Sequence, residues 1–191
     1  WAACLAADTD SEAIAAVRDI VGYLPGNNLE TAPFVAAEAA AAQIDADAGM
    51  RAVISAVSDG PAFELFAAHE GDAVTALGRV GGETAGFVGA KGKLSPAACK
   101  KIARFVRLMD AFSLPVVTFA DSEGMGAAEC EACAMKAAAT LCAAYMTATV
   151  PKVAVATGKA VSAAASALIS RAAADISYAW PGAVIAPLAA P

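Results

Sequence analysis

KIARFVRLMDAFSLPVVTFAD (Lys101 to Asp121) decides how the chain folds. Ile102, Phe105, Val106 and Met109 recur at helical spacing and form one apolar stripe, while Ser95-Pro96 just upstream supplies an N-cap followed by proline at the first helical position. After the helix, Pro115 to Ala120 is a short continuous apolar run, the pattern of a strand buried on both faces. The run ends in a polar, glycine-bearing stretch, Asp121 to Gly126, which reads as a loop, and a second helix is predicted from there to about Ala148. Further along the unit recurs, with a strand over Val150 to Thr157, a turn over Gly158 to Ser162, a helix over Ala163 to Ser170 and a strand over Ile176 to Trp180. Repeated strand–loop–helix units predict an α/β fold with its site at the strand ends.

Upstream, MRAVISAV (Met50 to Val57) reads as a helix and FELF (Phe63 to Phe66) as a strand, and VTALGRV and TAGFVG flank Gly81-Gly82 as a hairpin. Thr9 to Glu12 has capping-box spacing ahead of Ile14, Val17, Val21 and Leu24, so a short capped helix is predicted there. LPGNNLETAP (Leu24 to Pro33) is turn chemistry. Residues 1–33 are therefore expected to form an N-terminal helix and connecting loop, and residues 34–191 a single domain.

Composition narrows the function classes. With 191 residues, 59% hydrophobic and 17% charged, the chain has the means to build a core, which excludes disorder. A net charge of −6 and the lack of a basic run interleaved with aromatics exclude nucleic acid as a partner. Mean hydropathy is +0.58, but the uncharged stretches Ala137 to Pro151 and Ile176 to Pro191 fall short of the ~20 apolar residues a membrane span needs. The first residues show no charged, apolar and cleavable leader pattern. Five irregularly spaced cysteines in a chain of this size point to a reducing, cytoplasmic compartment, with Cys130 and Cys133 expected as free thiols.

Six blocks, in order, carry a family likeness: YLPGNN (Tyr23 to Asn28), MRAVISAVSDGPAFELF (Met50 to Phe66), GRVGGETAGFVGA (Gly78 to Ala90), the block from Lys101 to Asp121, ATVPKVAVATGKA (Ala148 to Ala160) and YAWPGAVIA (Tyr178 to Ala186). Together they resemble the C-terminal half of the carboxyltransferase subunit of biotin-dependent acyl-CoA carboxylases and decarboxylases, a family of the crotonase superfamily. The resemblance implies a crotonase-like fold and transfer of a carboxyl group between carboxybiotin and a short-chain acyl-CoA. It also implies a biotin carrier protein as a separate partner, an N-terminal-half carboxyltransferase chain that carries most acyl-CoA contacts, and a homo-oligomer, trimer or hexamer.

Carried over residue by residue, the resemblance assigns an oxyanion hole to the main-chain N–H groups of Ala163 and Ala164. It assigns substrate contacts to Ser162, Ser166, Gly124, Met125 and Gly126; Ser166 stands where the family varies a residue near the acyl group. Two departures fall here. The family's Pro-Gly-Phe type loop is replaced by EGMGAAECE (Glu123 to Glu131), shorter by about two residues. The family's Lys-Ala-Tyr-Gly-Gly-Ala-Tyr is replaced by Lys159-Ala-Val-Ser-Ala-Ala-Ala165, which lacks both glycines and both aromatics. A backbone donor survives any substitution except proline, and loss of glycine is costly only where φ is positive.

Other motifs read more plainly. Cys130-x-x-Cys133 has no second ligand pair at zinc spacing, so no metal is expected. Gly158-Lys159 lacks the upstream glycine of a phosphate loop, and with one histidine, His69, and no nucleophile elbow, a Ser-His triad on Ser162 is disfavoured. Asp8, Asp10, Asp45 and Asp47 read as solvated or capping carboxylates. Two functions remain: a carboxyltransferase component acting through amides, and a non-catalytic, degenerate carboxyltransferase-like module for oligomer assembly. A weaker third is another crotonase-type acyl-CoA reaction on the same amides.

Overall fold

A computed structural model describes residues 4–27, 29–37, 43–44, 48–69, 73–126 and 131–188. Five helices and seven strands are seen among them: α1 (Asp10–Tyr23), α2 (Met50–Val57), β1 (Phe63–Leu65), β2 (Ala73–Val80), β3 (Glu83–Leu94), α3 (Pro96–Ala111), β4 (Val116–Met125), α4 (Glu131–Thr147), β5 (Lys152–Val161), α5 (Ser162–Ile169), β6 (Ile176–Ala179) and β7 (Val184–Ala186). One sheet holds all seven strands in the order β1-β2-β3-β4-β5-β6, with β7 also on β5. The β1–β2 and β2–β3 pairs are antiparallel; every later pair is parallel. This is the mixed α/β architecture that the alternating units predict.

The β2–β3 hairpin turns on Gly81 (φ +60) and Gly82 (φ +86), the two left-handed residues a tight two-residue turn requires. Asp59 holds that turn by accepting the N–H groups of Gly81 at 3.0 Å and Gly82 at 2.8 Å. An internal carboxylate thus occupies both amide donors of the turn.

Ser95 caps α3 as expected, its Oγ accepting the Ala98 N–H at 3.1 Å. Ile102, Phe105, Val106 and Met109 are all buried against the sheet. The approach is close because Gly86 of β3 has no side chain: a Cβ there would lie 2.5 Å from Met109 Sδ and 3.0 Å from Phe105 Cε1. Behind α3 packs α4, whose buried Tyr145 hydroxyl lies 2.8 Å from Thr118 Oγ1 in β4. Burial raises the Tyr145 hydroxyl and pushes the Cys99 thiol up to about 11, so neither ionises at neutral pH. Lys101 is buried too, its ammonium donating to the carbonyls of His69 and Ala73, each at 2.8 Å. His69 lies in the turn after β1.

The structure departs from the expectations at four places. Asp121 to Met125 is strand rather than loop, because Lys93 and Leu94 of β3 pair with Gly124 and Met125. Of the turn predicted over Gly158 to Ser162, Gly158 to Val161 likewise continues β5, through the Ser122–Ala160 pair and the ladder to β7, and Ser162 opens α5. Polar, glycine-bearing strand ends look like loops in sequence; neighbouring strands supply the ladder that keeps them extended. Three-residue β7, which the pattern does not predict, forms on the β5 edge beyond β6. Finally, Cys133 is disulfide-bonded, which overturns its reading as a free thiol, whereas Cys4, Cys99 and Cys142 are free. Cys130, Asp45 and Asp47 lie outside the described residues.

At the other end of the chain, Thr9 caps α1 through the Glu12 N–H at 3.2 Å, and the Glu12 carboxylate reaches back to the Asp8 N–H at 3.0 Å, one residue before the expected partner. No residue of α1 is buried. Among the described residues, no helix is long and apolar enough to cross a membrane.

Candidate active site

The parallel strands β4 and β5 end side by side, and their last residues and the first turn of α5 form one surface. Gly124 is buried at φ +123, and a Cβ on it would stand 2.7 Å from Ser162 Oγ, so the strand end and the helix start touch there because residue 124 has no side chain. Ser122 steadies this end from below: its buried Oγ donates to the Gly92 carbonyl at 2.9 Å and accepts the Gly124 N–H at 3.3 Å. Gly126 donates its N–H to the Leu94 carbonyl at 2.7 Å.

Ser162 opens α5 with φ +61, directly after the extended Val161. Of the two positions where the family pattern has glycine, the first is therefore left-handed and Ser162 bears the strain; Ala163 is not among the positive-φ residues. A left-handed L-residue costs ~1–2 kcal/mol, partly offset by the extra backbone entropy of glycine, so Ser162→Gly is expected to stabilise the protein by about 0.5–1 kcal/mol. A urea unfolding midpoint that rises with an unchanged m-value would show it; a lower midpoint would count against the strain.

Ala163 and Ala164 are the second and third residues of α5. Their N–H groups fall in the first turn, where no carbonyl four residues back within the helix can accept them, and the helix dipole there favours negative charge. Ala163 is exposed; Ala164 is fully buried.

Two cavities flank this turn. One, of about 340 Å³, is walled by Ser162, Ala165, Ser166, Ser170, Tyr178 and Ile185 among others, and no charged side chain lines it. The other, of about 360 Å³, lies between Ala163 and Met125 on one side and Glu131, Ala134, Met135 and Ala138 of α4 on the other. The predicted site residues are thus brought together but divided: Ser162 and Ser166 face one cavity, Ala163 and Met125 the other. Gly124 and Ala164 lie buried beneath, and Gly126 serves the β3–β4 ladder.

Sequence reading missed the charged pair beside them. Lys159 Nζ donates to Glu123 Oε1 at 2.8 Å, and the Lys159 N–H donates to Asp121 Oδ1 at 2.8 Å. The hydrogen bond and charge of Lys159 hold the Glu123 carboxyl below its usual range, and the same bond raises the Lys159 ammonium. Both side chains are exposed. Ser170 was missed as well, although the spacing of Ser162, Ser166 and Ser170 by four was a legible signal. Among the described residues, no three His, Cys, Asp or Glu side chains group to hold a metal ion.

A family model for the carboxyl transferase domain matches residues 2–191. The chain belongs to the carboxyl transferase domain family. It is 31% identical to the methylmalonyl-CoA decarboxylase subunit alpha of Veillonella parvula, over 95% of this chain and 40% of that protein. To the propionyl-CoA carboxylase beta chain of Saccharopolyspora erythraea it is 34% identical, over 97% of this chain and 39% of that protein. A crystal structure of transcarboxylase 12S with hydrolysed methylmalonyl-coenzyme A bound superimposes with a TM-score of 0.87 at 32% identity, covering 95% of this chain and 40% of that one. This carboxyl transferase domain therefore spans about 40% of the length of the relatives it matches, and its crotonase-like fold is the one the six sequence blocks imply.

Proposed function

We propose that this carboxyl transferase domain moves a carboxyl group between carboxybiotin and the α-carbon of a short-chain acyl-CoA, together with a first-half carboxyltransferase chain. The observation that carries the reading is the left-handed Ser162 at the head of α5, which sets the Ala163 and Ala164 N–H groups in the first turn between two cavities. Charge develops on a thioester enolate oxygen or on a ureido oxygen during such a transfer, and preorganised N–H donors stabilise it without titrating. Carboxybiotin, on its separate carrier, would supply the carboxyl group. The uncharged, hydroxyl-bearing cavity suits a neutral ureido ring, and Ala165, where the family pattern has tyrosine, leaves part of that space open. Ser166 on its wall would shape acyl preference.

The relatives support this reading: they bear the names of acyl-CoA carboxylase and decarboxylase subunits, and transcarboxylase 12S is a hexamer with methylmalonyl-CoA bound. A cytoplasmic setting goes with it, supported by the three free thiols, while the bonded Cys133 counts against it. One observation favours the second reading, an assembly module: Ile176, Tyr178, Val184, Ile185 and Leu188 leave an exposed apolar edge at β6 and β7, fit for a homo-oligomer, trimer or hexamer.

Carboxyl transfer from carboxybiotin to acetyl-, propionyl- and glutaconyl-CoA, with first-half chains added, separates the two. Turnover supports the enzyme. Inactivity with every partner, no calorimetric binding of biotin or CoA, and a trimer by light scattering would leave the module.

A further inference from the structure

Toward the opposite end of the strand order from β5 and β6, Arg79 near the end of β2 links the β1–β2 edge to α1. Its Nη2 donates to the Gly22 carbonyl at 2.6 Å, and its guanidinium lies 4.4 Å above the Tyr23 ring. Tyr23 is itself fixed, its hydroxyl donating to the Pro61 carbonyl at 3.4 Å and its ring 6.4 Å from that of Phe63. The guanidinium is therefore preorganised.

Its hydrogen bonding is incomplete. Arg79 Nε is shielded from solvent and has no hydrogen-bond partner, and among the described residues no carboxylate comes within ion-pair distance of Arg79 or of Arg18. A buried N–H of a permanent cation left unmade is costly and calls for an acceptor. Two aspartates line cavities beside Arg79: Asp59 accepts the Gly81 and Gly82 amides, and Asp19 forms no ion pair among the described residues.

Space for an acceptor is present. Arg79 walls a cavity of about 450 Å³ with Arg18, Asp19, Gly22, Tyr23 and Phe63, and a second of about 310 Å³ on the Asp59 side. The larger one carries two arginines against one aspartate, a net positive rim.

We propose that the cavity between α1 and the β1–β2 edge binds a phosphate-class oxyanion, held by Arg79 through its unpartnered Nε–H and by the charge of Arg18. The oxyanion supplies the missing acceptor, and the planar guanidinium stacked on Tyr23 presents its donors in the fork that such an anion fits. The occupant is a free oxyanion or a phosphate group of a larger molecule. This site is separate from the α5 surface, so it stands or falls independently of the carboxyl-transfer reading.

The test is thermal unfolding of the whole chain against inorganic phosphate. A saturable rise in midpoint is expected, with affinity falling roughly tenfold or more in Arg79→Lys, which keeps the charge and loses the fork. Exposed Arg18→Gln, which leaves the α1 anchor intact, should lose about two- to fivefold, and the remote, exposed Arg171→Gln nothing. In a parallel arm, CoA protecting better than dephospho-CoA, with the difference lost in Arg79→Lys, would identify a phosphate monoester as the occupant, and no such difference a free oxyanion. No saturable shift with phosphate, or equal losses in Arg18→Gln and Arg171→Gln, overturns the site.

Discussion

Replacing Ala163 by proline is expected to slow the proposed carboxyl transfer by about 10²–10³, the usual cost of removing one oxyanion donor, the role proposed for its N–H, ~2.7–4 kcal/mol of transition-state stabilisation. The position suits the test better than its neighbour. Ala163 is exposed and second in α5, where a proline ring removes no intrahelical hydrogen bond and its φ matches the helix. Ala164 is fully buried, so a ring there would overpack the site by ~1–3 kcal/mol and confound loss of the donor with loss of structure. Ala163→Gly keeps the N–H and serves as the control. A proline variant with unchanged circular dichroism and unchanged turnover would remove Ala163 from the mechanism.

Phe105→Ala carries the largest expected effect on stability, about 3–5 kcal/mol. Phe105 is completely buried on the inner face of α3, and it rests on the bare backbone of Gly86 beside Met109. A packed helix on a strand so close has little freedom to collapse into the space left by a ring, so most of the cavity remains. Against the ~5–15 kcal/mol that holds a typical domain together, such a loss brings the fold near its limit. The check is the urea midpoint, with Phe105→Leu as the milder comparison. A loss under about 1 kcal/mol would mean that the α3–sheet interface is not the dense core it is here taken to be.

Both expectations rest on features of different legibility. Local patterns made α3 and the hairpin readable. Ser95-Pro96 states a helix start, the stripe at 102, 105, 106 and 109 states its inner face, and Gly81-Gly82 between alternating runs states a tight turn. Each of these depends on residues within one or two turns of each other, so the chemistry that enforces them is visible in a linear string. The carboxyltransferase blocks were equally legible, because they are contiguous.

What the sequence by itself determined is the set of elements apart from β7, their order and the identity of the first-turn residues of α5. Tertiary structure alone decided the rest. Asp121 to Met125 and Gly158 to Val161 became strands because β3, β5 and β7 lay alongside to accept their hydrogen bonds, and a polar strand end has no local signal that separates it from a loop. Lys159 found Glu123 across 36 residues, and Gly124 met Ser162 across 38, because parallel strands bring distant segments to one edge. Whether losing the family's glycines was costly likewise depended on φ at 162, a value imposed by the sharp change of direction from β5 into α5. No residue in the string could announce it.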